Sequence, residues 1–255
     1  MTDGPAFGAG SASTSSSTSS STSSPGANST SSSGSIPSVE VGLEIGPKRR
    51  VFAQAIDWSG WCRGARDEAR ALAGLAAYAD RYQEAVRGRA DSPGASAPVL
   101  TVVERVAGDA TTDFGAPGKV MEFDRRPLDA NGPGRLAAFL DACWAAFDRA
   151  LSSAPADVRP VKPEVGRSPD GMRLHILGAM RAYLAWLVKP LPGIDEARLD
   201  ESEAALRGIF RDAVLALPTG VPFETERHPG PYAVRRECWH ALDHAWELED
   251  RLARG

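Results

Sequence analysis

The sequence has few thiols, no long apolar run and no excess of positive charge. Of its 255 residues only Cys62, Cys143 and Cys238 are cysteines, and none is paired at a CxxC spacing. An odd number of widely spaced cysteines argues against a disulfide framework or a thiolate zinc site, and favours a reducing compartment. No apolar stretch approaches the roughly 20 residues that a membrane-spanning helix needs. The first residues, Met-Thr-Asp-Gly-Pro-Ala, lack the basic and apolar regions of a signal peptide. The sequence therefore predicts a cytoplasmic protein without a membrane partner.

The charge balance excludes a further class of partner. Lysine and arginine total 29 against 33 aspartate and glutamate, for a formal net charge of −4. Such a chain has no general attraction to nucleic acid or to an anionic membrane surface, so we expect neither as a partner. Its length allows one large or two modest domains.

The N-terminal segment is almost devoid of groups that could be buried. From residue 11 to residue 35 it is nearly all serine and threonine, with some glycine, alanine and asparagine and one proline. Such a composition cannot offset the entropy lost on ordering. Residues 1–37 are therefore predicted to be a disordered Ser/Thr-rich tail. A phosphorylated or partner-binding tail is the alternative.

Residues 38–107 carry the signals of a small sheet. Apolar and other residues alternate over 39–45, which predicts a half-buried strand with Glu40, Gly42 and Glu44 on its open face. A second strand is predicted over 51–56 and a third over 99–106. Between them lie a predicted loop, residues 57–64, and one helix from about residue 67. The predicted order is β-β-α-β, an open sheet covered by one helix in an α+β protein.

Residues 133–255 have the apolar period of helices instead. After a turn-rich connector, residues 108–132, apolar residues recur every three or four positions in four segments. Helices are predicted over about 136–151, 170–188, 195–217 and from Pro229 onward. Four helices of this length, joined by loops, predict a helical bundle.

Three of the four histidines fall in these predicted helices. His240 and His244 are one turn apart on the last helix, about 5–6 Å at Cβ, and His175 lies near the start of the second. Three neutral imidazoles can hold a divalent ion and leave coordination positions open. Asp243 and Glu247 could orient an imidazole or accept a proton, or could be surface charges, the interpretation that we favour for Asp243. The alternative for the histidines is a set of hydrogen-bonded or solvated side chains at the edge of the core.

One motif in the N-terminal part resembles the HicB-like domains. The motif is Ile56-Asp-Trp-Ser-Gly-Trp-Cys-Arg-Gly64 followed by Arg66-Asp-Glu-Ala69, with Ser59 where the family usually has proline. The resemblance covers about residues 39–106. It implies a degenerate RNase-H-like fold that binds or regulates rather than catalyses. The alternative is that Trp58 and Trp61 only anchor the loop on the sheet.

The C-terminal half resembles the DinB/YfiT-like four-helix metalloproteins. The matching segments are Met172-Arg-Leu-His-Ile-Leu-Gly-Ala-Met-Arg-Ala-Tyr183 and Trp239-His-Ala-Leu-Asp-His244. The resemblance covers about residues 133–255. It implies a divalent metal bound by His175, His240 and His244, and transfer or isomerisation chemistry with low-molecular-weight thiols. Where the family often continues with glycine and glutamine, this chain has Trp246 and Glu247.

These observations lead to one expected function and one alternative. We expect a divalent-metal-binding protein, with zinc, nickel and manganese undistinguished, that acts on a small molecule as a thiol-linked transferase or a hydrolase. The alternative is a non-enzymatic interaction or regulatory protein with a HicB-like module and a vestigial bundle. An RNA-binding, antitoxin-like module is disfavoured by the charge. The sequence assigns no catalytic residue and leaves homo-oligomerisation open. His228 is not expected to join the site, and Cys143 and Cys238 are expected to pack as small hydrophobes.

Overall fold

The computed structural model of the protein describes residues 38–92, 94, 98–156, 158, 166–191 and 201–254. The predicted Ser/Thr-rich tail, residues 1–37, lies outside the described residues. The described residues belong to a single compact unit.

Four strands form a mixed sheet, and the described fold is α+β, as predicted. The strands are β1 Ser38–Ile45, β2 Val51–Ala55, β3 Cys62–Ala65 and β4 Val99–Ala107. Their order in the sheet is β3-β2-β1-β4, with β1 parallel to β4 and antiparallel to β2. The three predicted strands correspond to β1, β2 and β4.

The predicted β-β-α-β order was wrong in two details. The loop predicted over 57–64 contains most of β3, which pairs antiparallel with β2. Its sequence, Cys-Arg-Gly-Ala, has weak intrinsic strand preference, so pairing with a buried neighbour and not local propensity makes it a strand. The single predicted helix is two, α1 Glu68–Ala77 and α2 Ala79–Val86, with Asp67 capping the first.

The other elements given for the described chain, apart from one isolated bridge between Leu128 and Thr219, are helices. The helices are α3 Ala110–Phe114, a 3-10 turn at Glu122–Arg125, α4 Gly132–Ser153, α5 Pro169–Leu187, α6 Glu203–Leu215 and α7 Gly230–Leu252. Predictions for α4, α5 and α7 are confirmed within a few residues. Of the predicted third helix, residues 195–200 lie outside the described part, and α6 covers Glu203–Leu215 of the remainder. Both α6 and α7 pack against α4 and α5. None of the described helices is long and apolar enough to cross a bilayer.

The open face predicted for β1 is exposed at Glu40 but covered at Gly42 and Glu44, so the prediction of a half-buried strand was wrong for the second half of the strand. Glu44 is fully buried, and its carboxylate accepts hydrogen bonds from the Thr112 hydroxyl and from the backbone N–H groups of Gly118 and Lys119. Met121 and Phe123 lie against the α-carbon of Gly42. Residues 108–125 therefore cover this part of the face, and they supply the donors that a buried carboxylate needs.

The turn between β2 and β3 fits closely against α7. Gly60 has φ +93°, and a Cβ there would lie 3.1 Å from the backbone carbonyl carbon of Cys238. Next to it, Trp61 is buried, stacks on Tyr82 and donates its indole N–H to Leu75 O at 2.9 Å. Trp61 thus anchors the loop, through side-chain contacts with α1 and α2 rather than with the sheet. The tight turn therefore packs directly against α7, the helix that carries His240 and His244.

The sheet and the helices share one hydrophobic cluster. It includes Val41 and Leu43 of β1, Leu140 and Phe147 of α4, and Leu242 of α7. The division into separately folding domains at residues 107 and 133 stays a prediction.

Candidate metal centre

The packing of α5 on α7 brings the three predicted histidines together. One nitrogen from each ring of His175, His240 and His244 lies within 4.8 Å of the other two. Nε2 of His175 and Nε2 of His240 are 3.1 Å apart. The ring centroids form a nearly equilateral triangle with sides of 4.8, 4.9 and 5.3 Å. Residues 65 positions apart in sequence therefore present their imidazoles to a common point.

The donor set fits a small divalent ion. Two imidazoles bound at about 2.0–2.1 Å in tetrahedral geometry have nitrogens about 3.3–3.4 Å apart, close to the 3.1 Å observed. His240 is 6% exposed, and its Nδ1 has no hydrogen-bond partner among the described residues. His175 and His244 are partly exposed, so the centre has a buried side and a side open to solvent.

The surroundings keep two of the imidazoles neutral. Burial, helped by the charges of Arg167 and His244, lowers the pKa of His175 to about 4. Burial, helped by the other two histidines and by Arg236, holds the pKa of His240 well below its usual value. Neutral imidazole is the form that binds a metal, so both rings have a lone pair to donate at neutral pH.

Glu247 is the acidic neighbour that contacts the centre. Its Oε2 lies 2.8 Å from Nδ1 of His244, and its Oε1 accepts a hydrogen bond from Arg251. A carboxylate on the outer nitrogen of a histidine is the usual companion of a metal-ligating imidazole. Asp243 instead pairs with Arg63 at 3.1 Å, and burial raises the pKa of its carboxyl, although 41% of its side chain is exposed. It is therefore a half-buried partner of Arg63 and not the free surface charge that the sequence favoured.

The other residues considered from the sequence lie elsewhere. His228 stacks on Trp186, with ring centroids 4.2 Å apart, and is outside the cluster. Trp246 is buried and packs edge-on against Tyr78 at 4.9 Å. Cys143 and Cys238 are buried and free, which fits their expected role as small hydrophobes.

Sequence reasoning missed Arg251. Its side chain is 1% exposed, binds Glu247 and donates to the backbone carbonyl of Arg167 at 2.7 Å. The signal was present, since His244, Glu247 and Arg251 follow at three- and four-residue steps on one helix face. The carbonyl partner could not be found this way, because it lies on a segment 84 residues away.

Comparison with known proteins adds no relative: no protein-family model, curated protein or solved structure matches the chain. The resemblances to the HicB-like and DinB-like families therefore stay predictions.

Proposed function

We propose that the protein binds a divalent metal ion through His175, His240 and His244, within a DinB-like four-helix bundle made by α4–α7. The convergence of three ring nitrogens from two helices within 4.8 Å carries the proposal. The lowered pKa values of His175 and His240 support it, because a metal competes with protons for the same lone pairs. The contacts of α6 and α7 with both α4 and α5 support the assignment of these four helices to one bundle.

The proposed activity is metal-dependent and acts on a small molecule, either as a thiol-linked group transfer or as a hydrolysis. A bound ion would act as a Lewis acid toward a substrate atom at a coordination position that three histidines leave open. The chain's own contribution is to hold the three imidazoles, to orient His244 through Glu247, and to keep water from the buried side of His240. Zinc, nickel and manganese are all compatible with this donor set.

A second candidate is a non-enzymatic interaction or regulatory protein whose bundle has lost its chemistry. The observation that favours it is Trp246, which stands where the DinB-like pattern has a small residue. Its indole is 2% exposed and packs against Tyr78, with the Arg63 guanidinium 5.6 Å from its ring. In this interpretation that stretch of α7 holds the bundle against the N-terminal part and does not line a substrate pocket.

Metal content and metal-dependent stability separate the two candidates. Protein purified without a histidine tag is analysed for metals, then melted after chelation with and without Zn²⁺, Ni²⁺ or Mn²⁺. An ion at about 100 times its Kd adds about 2.7 kcal/mol, which raises the Tm of a chain this size by roughly 5–10 °C. The variant H175A/H240A/H244A should show no rise. Equal responses in the parent and the triple variant, or none in either, would overturn the metal proposal and leave the non-enzymatic candidate.

A further inference from the structure

Arg251, Glu247 and His244 form a continuous chain of contacts on α7. One terminal nitrogen of Arg251 donates to Oε1 of Glu247, and the other donates to the carbonyl of Arg167 at 2.7 Å. The second oxygen of Glu247, Oε2, lies 2.8 Å from Nδ1 of His244. Each carboxylate oxygen thus has its own partner, and the Arg251 side chain is almost completely buried.

We infer that Glu247 and Arg251 act as a pair of positioning residues that hold His244 in its Nδ1–H tautomer. An ionised carboxylate can only accept hydrogen bonds, and Arg251 keeps Glu247 ionised by donating to it. The nitrogen facing Oε2 must therefore carry the proton of the neutral ring. That leaves Nε2 with its lone pair, whereas a free histidine side chain prefers the opposite tautomer. The role of this tautomer in metal binding rests on the proposed function, but the tautomer itself does not.

The same arginine also joins the two helices that carry the histidines. Arg167 directly precedes Ser168, whose hydroxyl caps the start of α5 by accepting from Gly171 N at 3.1 Å. His175 follows two turns later on that helix. By holding the Arg167 carbonyl and Glu247 together, Arg251 sets the orientation of His244 and the approach of His175 through one buried side chain.

This arrangement makes an unusual prediction for the isosteric substitution Glu247→Gln. Arg251 offers only donors, so the glutamine carbonyl should turn toward it and leave the amide NH₂ facing His244. Nδ1 must then accept, and the ring proton must move to Nε2. Removing the donor with R251M allows the amide to turn its carbonyl back to His244. E247Q should therefore reverse the tautomer, and E247Q/R251M should restore it.

Long-range ¹H–¹⁵N NMR of metal-free protein with ¹⁵N-labelled histidine reads the tautomer directly. We expect Nδ1–H for His244 in the parent, Nε2–H in E247Q, and Nδ1–H again in E247Q/R251M. The matched control is D243N, which removes a carboxylate one residue from His244 that pairs with Arg63 and should leave the tautomer unchanged. An Nε2–H signal in the parent, or an Nδ1–H signal in E247Q, would overturn the inference.

Zn²⁺ titration of the same proteins tests the consequence. E247Q should weaken Zn²⁺ binding about 10–100-fold, the usual cost of losing an outer partner of a ligand histidine, while E247Q/R251M regains part of the loss. D243N should bind like the parent. If the tautomers behave as expected but the parent binds no metal, the proposed function fails and the tautomer inference stands. If the parent binds Zn²⁺ and E247Q binds equally well, the positioning role is refuted and the metal site survives.

Discussion

Asp124 and Arg235 form a bidentate ion pair that is closed to solvent. Nε and one terminal nitrogen of Arg235 donate to the two carboxylate oxygens of Asp124 at 2.8 and 2.6 Å. The Arg235 side chain is 5% exposed and the Asp124 side chain 2%. Arg235 also binds the side-chain carbonyl of Gln54 on β2. One residue of α7, five positions before His240, is thereby tied to the sheet and to the segment that precedes α4.

Breaking this pair should cost much more stability than breaking a surface pair. Asp124→Ala leaves the Arg235 charge buried without its partner, so we expect a loss of about 3–5 kcal/mol in the free energy of unfolding. The control is Glu84→Ala. Glu84 and Arg87 form a solvent-exposed ion pair, so removing it should cost less than about 1 kcal/mol of stability. Urea unfolding of both variants measures the difference. Similar losses would contradict the structural role given to Asp124.

Glu237 should make the protein less stable as the pH rises toward neutrality. Burial raises the pKa of this carboxyl from 4.5 to about 7, against hydrogen bonding from Trp144 and the charges of Arg207 and Arg236. Between pH 4.5 and 7 the unfolded chain releases this proton and the folded chain keeps it, so stability falls as the pH increases. The loss should reach roughly 3 kcal/mol by pH 7.

Glu237→Gln tests this dependence, because a neutral amide can still accept the Trp144 N–H. Urea unfolding at pH 5 and pH 7 should show that the variant gains stability relative to the parent as the pH rises. A difference between the two proteins that does not change with pH would mean that Glu237 is ionised in the folded state.

His175 should make the protein less stable as the pH falls below 6.5, the opposite of the effect of Glu237. The pKa of His175 is lowered to about 4, so between pH 6.5 and 4 the unfolded chain binds a proton that the folded chain does not. Stability is lost as the pH falls through this range. His175→Gln should reduce that loss in the metal-free protein, as measured by urea unfolding at pH 6.5 and 5. An unchanged loss would show that His175 titrates alike in both states.

Each histidine of the centre should be needed for metal binding. His175→Ala, His240→Ala and His244→Ala remove one of three ligands, so each should lose most of the affinity for Zn²⁺ measured by competition with a chromogenic chelator. His228→Ala is the matched control and should bind like the parent, because its ring stacks on Trp186 outside the cluster. A single variant with parental affinity would remove that histidine from the site.

The fragment 133–255 tests whether the helical part folds alone. The cut removes Asp124 and Gln54 and leaves the buried guanidinium of Arg235 unpaired. It also removes Gly60, which packs on Cys238. We expect a fragment less stable than the full chain in urea. Cooperative unfolding of the fragment would support the predicted boundary, and its absence would show that the sheet completes the core of the helices.

Local periodicity in the sequence was enough to locate most of the secondary structure. The three- and four-residue apolar spacing predicted α4, α5 and α7, and alternation predicted β1, because each pattern follows from the geometry of one element. The same geometry placed His240 and His244 on one face of α7. It also placed Glu247 within reach of His244, and Arg251 within reach of Glu247.

Contacts between distant segments were decided only by the tertiary structure. The sequence does not specify that β3 pairs with β2, that residues 108–125 bury Glu44, or that Arg251 reaches the carbonyl of Arg167. The 3.1 Å between His175 and His240 depends on how α5 is set against α7, and α7 is held by packing and by the Asp124–Arg235 pair. Spacing along a helix is set by the backbone, whereas the distance between two helices is set by the side chains that pack between them.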